Sequence, residues 1–367
     1  MENTYGNDVT FSGSIGFYDE LKRQVNKFLK EKRLHKTGGW RMITKMMFVL
    51  TLFVLSYVSL VFFSDTLFKA IVSGFVFAQG FALLAFNVMH DSGHESFPKN
   101  KYLKKLIRLT PDFAGFSRLL WCVRHNVLHH CYTNIDGLDD DIQIVGGIFR
   151  LSPEQKWRPC HRFQYIYAFP LYSLLTLSWV LFSDFQKIMT GRIGRYEYPK
   201  PAPVAIIWLV IAKFIYLGYM VVLPLFYNPV THVIIGFVCV HLIFGFTISI
   251  IFQLAHTVEG NSFPKPNNIT GMVKKEWAIN QVEATCDFAP TSKLANWYFG
   301  GLNLQIEHHL FPNICHVHYS AIQNIVRDTS RKFNVLYVSN KTVFSALIAH
   351  YKFLKRLSEK PVMEKNL

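Results

Sequence analysis

The sequence is short of charge, of acidic residues and of cysteine. Charged side chains make up 17% of its 367 residues, against about 25% in ordinary soluble domains. Asp and Glu number 24 against 39 Lys and Arg, a formal net charge of +15. The six cysteines (Cys122, Cys131, Cys160, Cys239, Cys286, Cys315) form no C-x-x-C pair, so thiolate zinc and iron–sulfur sites have no support. So few cysteines over this length exclude a disulfide framework and fit a reducing compartment. The 21 glycines exclude a collagen-like chain, and no internal repeat or low-complexity segment stands out. What is present is apolar: half of all residues, including 33 Phe, which excludes intrinsic disorder.

The apolar residues are concentrated. Four runs reach the roughly 20 residues that a helix needs to cross a bilayer: about 46–63, 67–89, 203–226 and 231–255. They form two tight pairs, joined by Ser64-Asp65-Thr66 and Tyr227-Asn228-Pro229-Val230, turns without Lys or Arg. Nine basic residues precede Met46, fifteen lie between His90 and Lys200, and thirteen follow His256. The positive-inside rule then puts both termini and the middle segment in the cytoplasm. The exceptions are Lys69, which can snorkel outward, and Lys213, which must face protein, a cavity or a lipid defect. A fifth uncharged stretch, 163–183, holds Gln, Pro, Tyr and Ser and suits an interfacial or re-entrant helix. In residues 1–45, Phe17, Leu21, Val25, Phe28 and Leu29 form a helix-period stripe opposite Lys22, Arg23, Lys27, Lys30, Lys32 and Arg33. That segment either packs on the main body or lies on anionic headgroups. The expected fold is an all-α integral membrane protein: four transmembrane helices in two hairpins, an interfacial helical stretch and a cytoplasmic helical cap. Residues 46–330 form the membrane domain, and 331–367 a cytoplasmic tail. The +15 charge thus reads as membrane orientation and not as nucleic-acid binding.

Eight of the fifteen histidines fall in four clusters. His90 and His94 follow the second run. His125, His129 and His130 lie in H-N-V-L-H-H. His256 ends the fourth run, and His308 and His309 lie in Q-I-E-H-H. On a helix, residues four apart share a face, so His90/His94 and His125/His129 can each pinch an ion, with His130 beside the second pair. Gln305 shares the face of His308 and His309. Such ligands on facing helices build two-metal centres in helix bundles. Neutral imidazole suits Zn, Cu, Fe and Ni. Three chemistries stay open on this reading: a zinc-dependent membrane hydrolase, a metal-binding transport protein, and an oxygen-activating iron pair acting on a lipid tail. A fifth crossing at 163–183 would separate the last cluster from the first two.

The three boxes His90-Asp-Ser-Gly-His94, His125-Asn-Val-Leu-His129-His130 and Gln305-Ile-Glu-His308-His309 resemble those of the integral-membrane fatty acid desaturases, over roughly residues 40–330. The string G-G-L-N-L-Q-I-E-H-H-L-F-P is similar to the front-end, linoleoyl-CoA or Δ6-like subgroup, where Gln replaces a histidine common elsewhere. The resemblance implies two iron ions on His90, His94, His125, His129, His130, His308 and His309, with His256 as a further ligand. It implies O2 as co-substrate and insertion of a cis double bond into an acyl chain carried by CoA, acyl carrier protein or phospholipid. Gln305 would bind one iron weakly or hold a water. Eukaryotic front-end members carry a fused cytochrome b5 domain with an H-P-G-G motif. None occurs here, so no bound haem or flavin is expected, and electrons should come from separate ferredoxin or cytochrome b5 with its reductase. The sister readings are a hydroxylase or sphingolipid desaturase on the same scaffold.

Ligand imidazoles need partners that fix their orientation. The candidates are Asp91 inside the first box; Asp139, Asp140 and Asp141 after the second; Asn126 and Asn303 beside ligands; and Gln253 and Asn87, one turn before His256 and His90. Trp121 and Trp297 read as packing. His316 and His318 stay outside the metal set, and His35, His161, His232, His241 and His350 have no assigned role.

Overall fold

The computed structural model describes residues 9–143 and 147–361; the outermost parts of both terminal segments lie outside the described residues. The chain is mostly helical. Among the described residues the strands are three two-residue pairs: Thr10–Phe11 with Met272–Val273, Arg192–Ile193 with Tyr196–Glu197, and Asp287–Phe288 with Ser339–Asn340.

Four helices are long and apolar enough to cross a membrane: Gly39–Phe62, Leu67–Gly93, Pro203–Leu225 and Val230–His256. Each start has a local cause. Gly38 in the left-handed region opens the first, the Thr66 hydroxyl accepts from the Lys69 amide at the second, and prolines begin the third and fourth, where a missing N–H costs nothing. The first helix starts seven residues before the apolar run, because the turns bearing Arg41 and Lys45 are helical too. The second runs past the apolar stretch and through the first histidine box.

The first helix packs along the second, and the second along the fourth. Their contact is aromatic: Phe53, Phe77 and Phe81 meet at 4.8–5.1 Å between centroids, and Phe81 stacks on Phe244 at 5.1 Å. Outward, Leu55, Phe68, Ile71, Phe214, Ile234 and Ile235 stay exposed, as a lipid-facing surface requires. The fifth stretch is a bent pair, Pro159–Tyr172 and Leu175–Thr190, kinked by 70°. Pro170 sits in the last turn before the break, where it cannot donate the backbone bond that would continue the ladder.

The N-terminal helix, Phe17–Glu31, uses its apolar stripe on protein. Phe17, Leu21, Val25 and Leu29 are buried with Ile322 and Val326 of helix Tyr319–Lys332 and with Ala278 and Val282 of helix Trp277–Ala284. Of the two readings of residues 1–45, the structure takes packing on the main body.

Lys213 faces protein. Its Nζ donates to the carbonyls of Gly115 (2.6 Å), Val180 (3.2 Å) and Trp179 (3.3 Å) and to Asp184 Oδ2 (2.9 Å). Asp184 also accepts from the Ser117 amide at 2.9 Å. One buried cation thus ties the third apolar helix to the bent pair and to the segment before the second box. Lys213→Met leaves the Asp184 charge buried without its partner. The expected loss is about 3–5 kcal/mol, read as a lower thermal midpoint in detergent micelles, and Lys213→Met/Asp184→Asn should recover part of it.

Candidate metal centre

Two π-helical segments aim the first two boxes. The second apolar helix widens from α to π over Ala85–Met89, returns to α over His90–Gly93, and ends at His94. Cys122–His129 is π-helical, and the His130 amide bonds the His125 carbonyl at 3.0 Å, five residues back. Such bulges cluster at functional sites. The fourth apolar helix delivers His256 in its last turn. A short helix, Gln305–Leu310, carries His308 and His309.

All eight clustered histidines come together. Ring nitrogens of His90, His94, His125 and His308 lie within 4.8 Å of one another, as do those of His129, His256 and His309, and of His130, His308 and His309; His125, His129 and Asp141 form a further such group. The expected pairing of His125 with His129 is present in that last group. The π turn brings His125 and His130 to one face, with Nε2 atoms 3.3 Å apart, and His129 meets the His256 ring at 4.5 Å.

The donor set fits a bound cation. His125 Nε2 lies 3.2 Å from His90 Nε2, 3.1 Å from His94 Nε2 and 3.3 Å from His130 Nε2, and His130 Nε2 lies 3.0 Å from His308 Nε2. A neutral imidazole has one N–H and one lone pair, so His125 Nε2 cannot hydrogen-bond all three neighbours. His129 Nε2 and His309 Nε2 are buried without any hydrogen-bond partner, a costly state unless the lone pair meets a metal. Burial, reinforced by the neighbouring imidazoles, holds His94, His125, His130, His308 and His309 well below the ordinary histidine value. They are thus neutral and ligand-competent. His129 moves the other way: burial lowers it, but Asp139 and Asp141 outweigh that and raise it.

The groups behind the rings differ partly from expectation. Both oxygens of Asp139 lie 3.1 Å from His129 Nδ1. Asp141 is 3.5 Å from the same nitrogen and 3.2 Å from Arg124 Nε. Asp91 faces away from the eight histidines, binding His316 Nδ1 at 2.9 Å. Gln253 Oε1 accepts from Thr257 Oγ1 at 2.6 Å, a bond within its own helix end. Asn87 holds the Leu83 and Tyr298 carbonyls, Asn126 that of Gly93, and Asn303 those of Phe288 and Ala289. These three asparagines brace backbone. Gln305 Nε2 lies 2.9 Å from His256 Nε2, while its Oε1 is buried without a partner. Exchanging the two amide atoms, which heavy-atom positions do not distinguish, turns the carbonyl oxygen to that ring.

Sequence reading missed three partners. Gln281 Oε1 binds His309 Nδ1 and Thr133 Oγ1, each at 2.8 Å. Tyr319 Oη lies 3.2 Å from His308 Nδ1. Glu307, inside the third box, accepts from Tyr337 Oη at 3.0 Å, and that hydroxyl also contacts Asp287. Burial, with Asp287 adding to it, pushes the Glu307 carboxyl well above its usual range, so a shared proton lets both acids sit inside. No spacing signal marks Gln281 or Tyr337, because their approach is tertiary.

Two glycines have steric reasons. A Cβ on Gly93 would lie 2.1 Å from the Trp121 ring, which stacks on His125 at 4.6 Å. Gly300 has φ +59°, and its Cβ would lie 2.3 Å from the Phe86 carbonyl. Beside His90 and His125 runs an apolar cavity lined by Ala85, Met89, Phe116, Trp179, Ile248 and Phe252. On the other side, His94 and His130 border an open surface pocket with Val127 and Pro312. Removing an orienting carboxylate typically costs about 10–100-fold in metal affinity, so Asp139→Ala should weaken metal retention by that factor in chelator competition.

The comparisons agree with this geometry. The family model "Fatty acid desaturase" matches residues 64–341. The chain is similar to the sn-1 linoleoyl-lipid 6-desaturase of Arthrospira platensis, 36% identical over 357 residues covering 96% of this chain and 95% of the relative. It is 34% identical to the sn-1 linoleoyl-lipid 6-desaturase of Synechocystis sp., over 96% of this chain and 98% of that one. It is also 35% identical to the acyl-lipid (8-3)-desaturase of Physcomitrium patens, over 93% of this chain and 71% of the relative. Four apolar helices, eight convergent imidazoles and these matches have one reading: the chain belongs to the fatty acid desaturase family and is an integral-membrane oxidoreductase of lipid acyl chains, in a family that implies a di-iron, O2-dependent centre.

Proposed function

We propose that this protein is a front-end desaturase acting on acyl chains esterified in membrane lipid, with the eight clustered histidines as its metal ligands. The observation that carries the reading is the convergence of ring nitrogens that have no other way to be satisfied, set against an apolar cavity. His90, His94, His125 and His308 would hold one metal. His129, His256 and His309 would hold the other, with Gln305 beside His256 and His130 close to both groups. Iron ions bound there would supply the oxygen chemistry that removes two hydrogens. The balance is CH2–CH2 + O2 + 2 e− + 2 H+ → CH=CH + 2 H2O. Asp139, Gln281 and Tyr319 hold His129, His309 and His308 in one tautomer. The cavity beside His90 and His125 takes the methylene chain, and Phe252 and Trp121 keep water from the ring nitrogens.

The lipid assignment rests on the relatives, whose names specify lipid-bound acyl chains; acyl-CoA and acyl carrier protein are the competing carriers. Both electrons come from a separate donor, ferredoxin or cytochrome b5, drawn to the basic face. Both termini and the metal centre lie on the cytoplasmic side, since 37 of 39 cationic residues share it. The four long helices form two hairpins, with the bent pair at the interface and residues 331–367 as a cytoplasmic segment.

The test is the lipid profile of a heterologous host supplied with donor and reductase. Mass spectrometry should find acyl chains two hydrogens lighter, with the new double bond on the carboxyl side of an existing one. A gain of oxygen would make the protein a hydroxylase, and neither product would refute both. His129→Ala and His308→Ala should abolish product while the protein still inserts; wild-type turnover in either refutes the ligand assignment. Gln305→His should alter activity without abolishing it, and purified wild-type protein should hold two irons.

A further inference from the structure

A cationic cavity lies apart from the eight histidines. It has a volume of about 470 Å3 and opens beside the first turns of helix Gly39–Phe62. Arg41 and Lys45, one helical turn apart, line it together with Asn296, Trp297, His316 and Ser320. Lys45 is 7% exposed, an unusual burial for an ammonium. Its Nζ lies 2.8 Å from His316 Nε2. His316 Nδ1 donates to Asp91 at 2.9 Å, so Nε2 carries the lone pair and Lys45 donates to it. An ammonium has three donors, and this contact uses one. Among the described residues neither Arg41 nor Lys45 forms an ion pair with a carboxylate. The buried ammonium meets one hydrogen-bond acceptor, His316, and the face of the Trp297 ring at 5.3 Å, with Asp91 lying beyond His316; together with the exposed Arg41 it leaves the pocket cationic, a place for an anion from outside.

The depth of the pocket identifies the anion. Phe48, one turn further along the helix and 53% exposed, meets the Trp297 ring edge-on at 5.5 Å. Trp40, at the start of the same helix, is 74% exposed. Tryptophan at the end of a spanning helix marks the headgroup level. The mouth therefore combines cations and aromatic rings, with Lys45 Nζ 5.3 Å from the Trp297 ring centroid, at the boundary of the bilayer. We propose that this cavity binds the phosphodiester of an anionic phospholipid, with the phosphate on Lys45 and Arg41 and the first acyl methylenes against Phe48 and Trp297. A choline or ethanolamine headgroup brings its own cation into a pocket that already holds two and is rejected. The Lys45–His316–Asp91 chain fixes the ammonium in place and ends one residue from His90. The inference stands whether or not the desaturase reading holds, since it concerns binding alone.

The test uses the full-length, delipidated protein in detergent, offered equal concentrations of phosphatidylglycerol and phosphatidylcholine. Bound lipid is counted by native mass spectrometry. The wild type should retain one phosphatidylglycerol in preference to phosphatidylcholine. Lys45→Met and Arg41→Gln should each lower retention about fivefold, the factor that about 1 kcal/mol per cation implies. Arg41 is exposed, so its variant reports even if the buried Lys45→Met fails to fold. Equal retention of the two lipids, or undiminished phosphatidylglycerol in Arg41→Gln, overturns the proposal. Displacement of the lipid by equimolar inorganic phosphate also overturns it, by assigning the site to free phosphate.

Discussion

Eight imidazoles held with their nitrogens 3.0–3.3 Å apart in the closest pairs form a repulsive arrangement unless a cation sits among them. Much of the surrounding structure serves to hold it. Burial keeps His94, His125, His130, His308 and His309 neutral, so their lone pairs are available, while Asp139 and Asp141 raise His129. Asp139, Gln281 and Tyr319 occupy the Nδ1 side of His129, His309 and His308, which turns Nε2 inward. Elements from four separate parts of the chain must close on one point, and none of them can satisfy its histidines alone.

The membrane sets the second constraint. Apolar side chains face outward along the four long helices, so the usual hydrophobic drive to bury them is absent there. Cohesion comes from the aromatic contact of Phe53, Phe77, Phe81 and Phe244 and from a few buried polar links. Lys213 with Asp184 is one; Tyr216, His241 and Thr176 form another. The same helices end where the chemistry begins. The second and fourth carry His90 and His256 in their last turns, which puts the metal centre at the foot of an apolar wall that an acyl chain can follow.

Much of the site was legible because the family keeps its ligands in short strings. The eight clustered histidines and the four long helices follow from residue type and spacing, whereas the stretch at 163–183 is a helix pair bent by 70°, a broken span or a re-entrant loop. Tertiary contacts add what spacing does not show. His125 and His129 do share a group with Asp141, and the π turn also brings His130 to His125. Asp91 and Gln253 were chosen for nearness in sequence to a ligand, yet the first turned to His316 and the second to Thr257. The real partner of His309, Gln281, comes from a helix 28 residues away in the chain, and no periodicity announces it.

The sequence by itself determined the membrane character, the orientation of the charges and the identity of the candidate ligands, because hydropathy, charge asymmetry and histidine spacing are local properties of a chain. Only the tertiary structure decided which ring nitrogens come together, which polar residues stand behind them, and that Lys45 and Arg41 line one pocket. Those facts depend on distances between segments that sequence order does not encode, and on helix geometry that departs from the α repeat where the histidines sit.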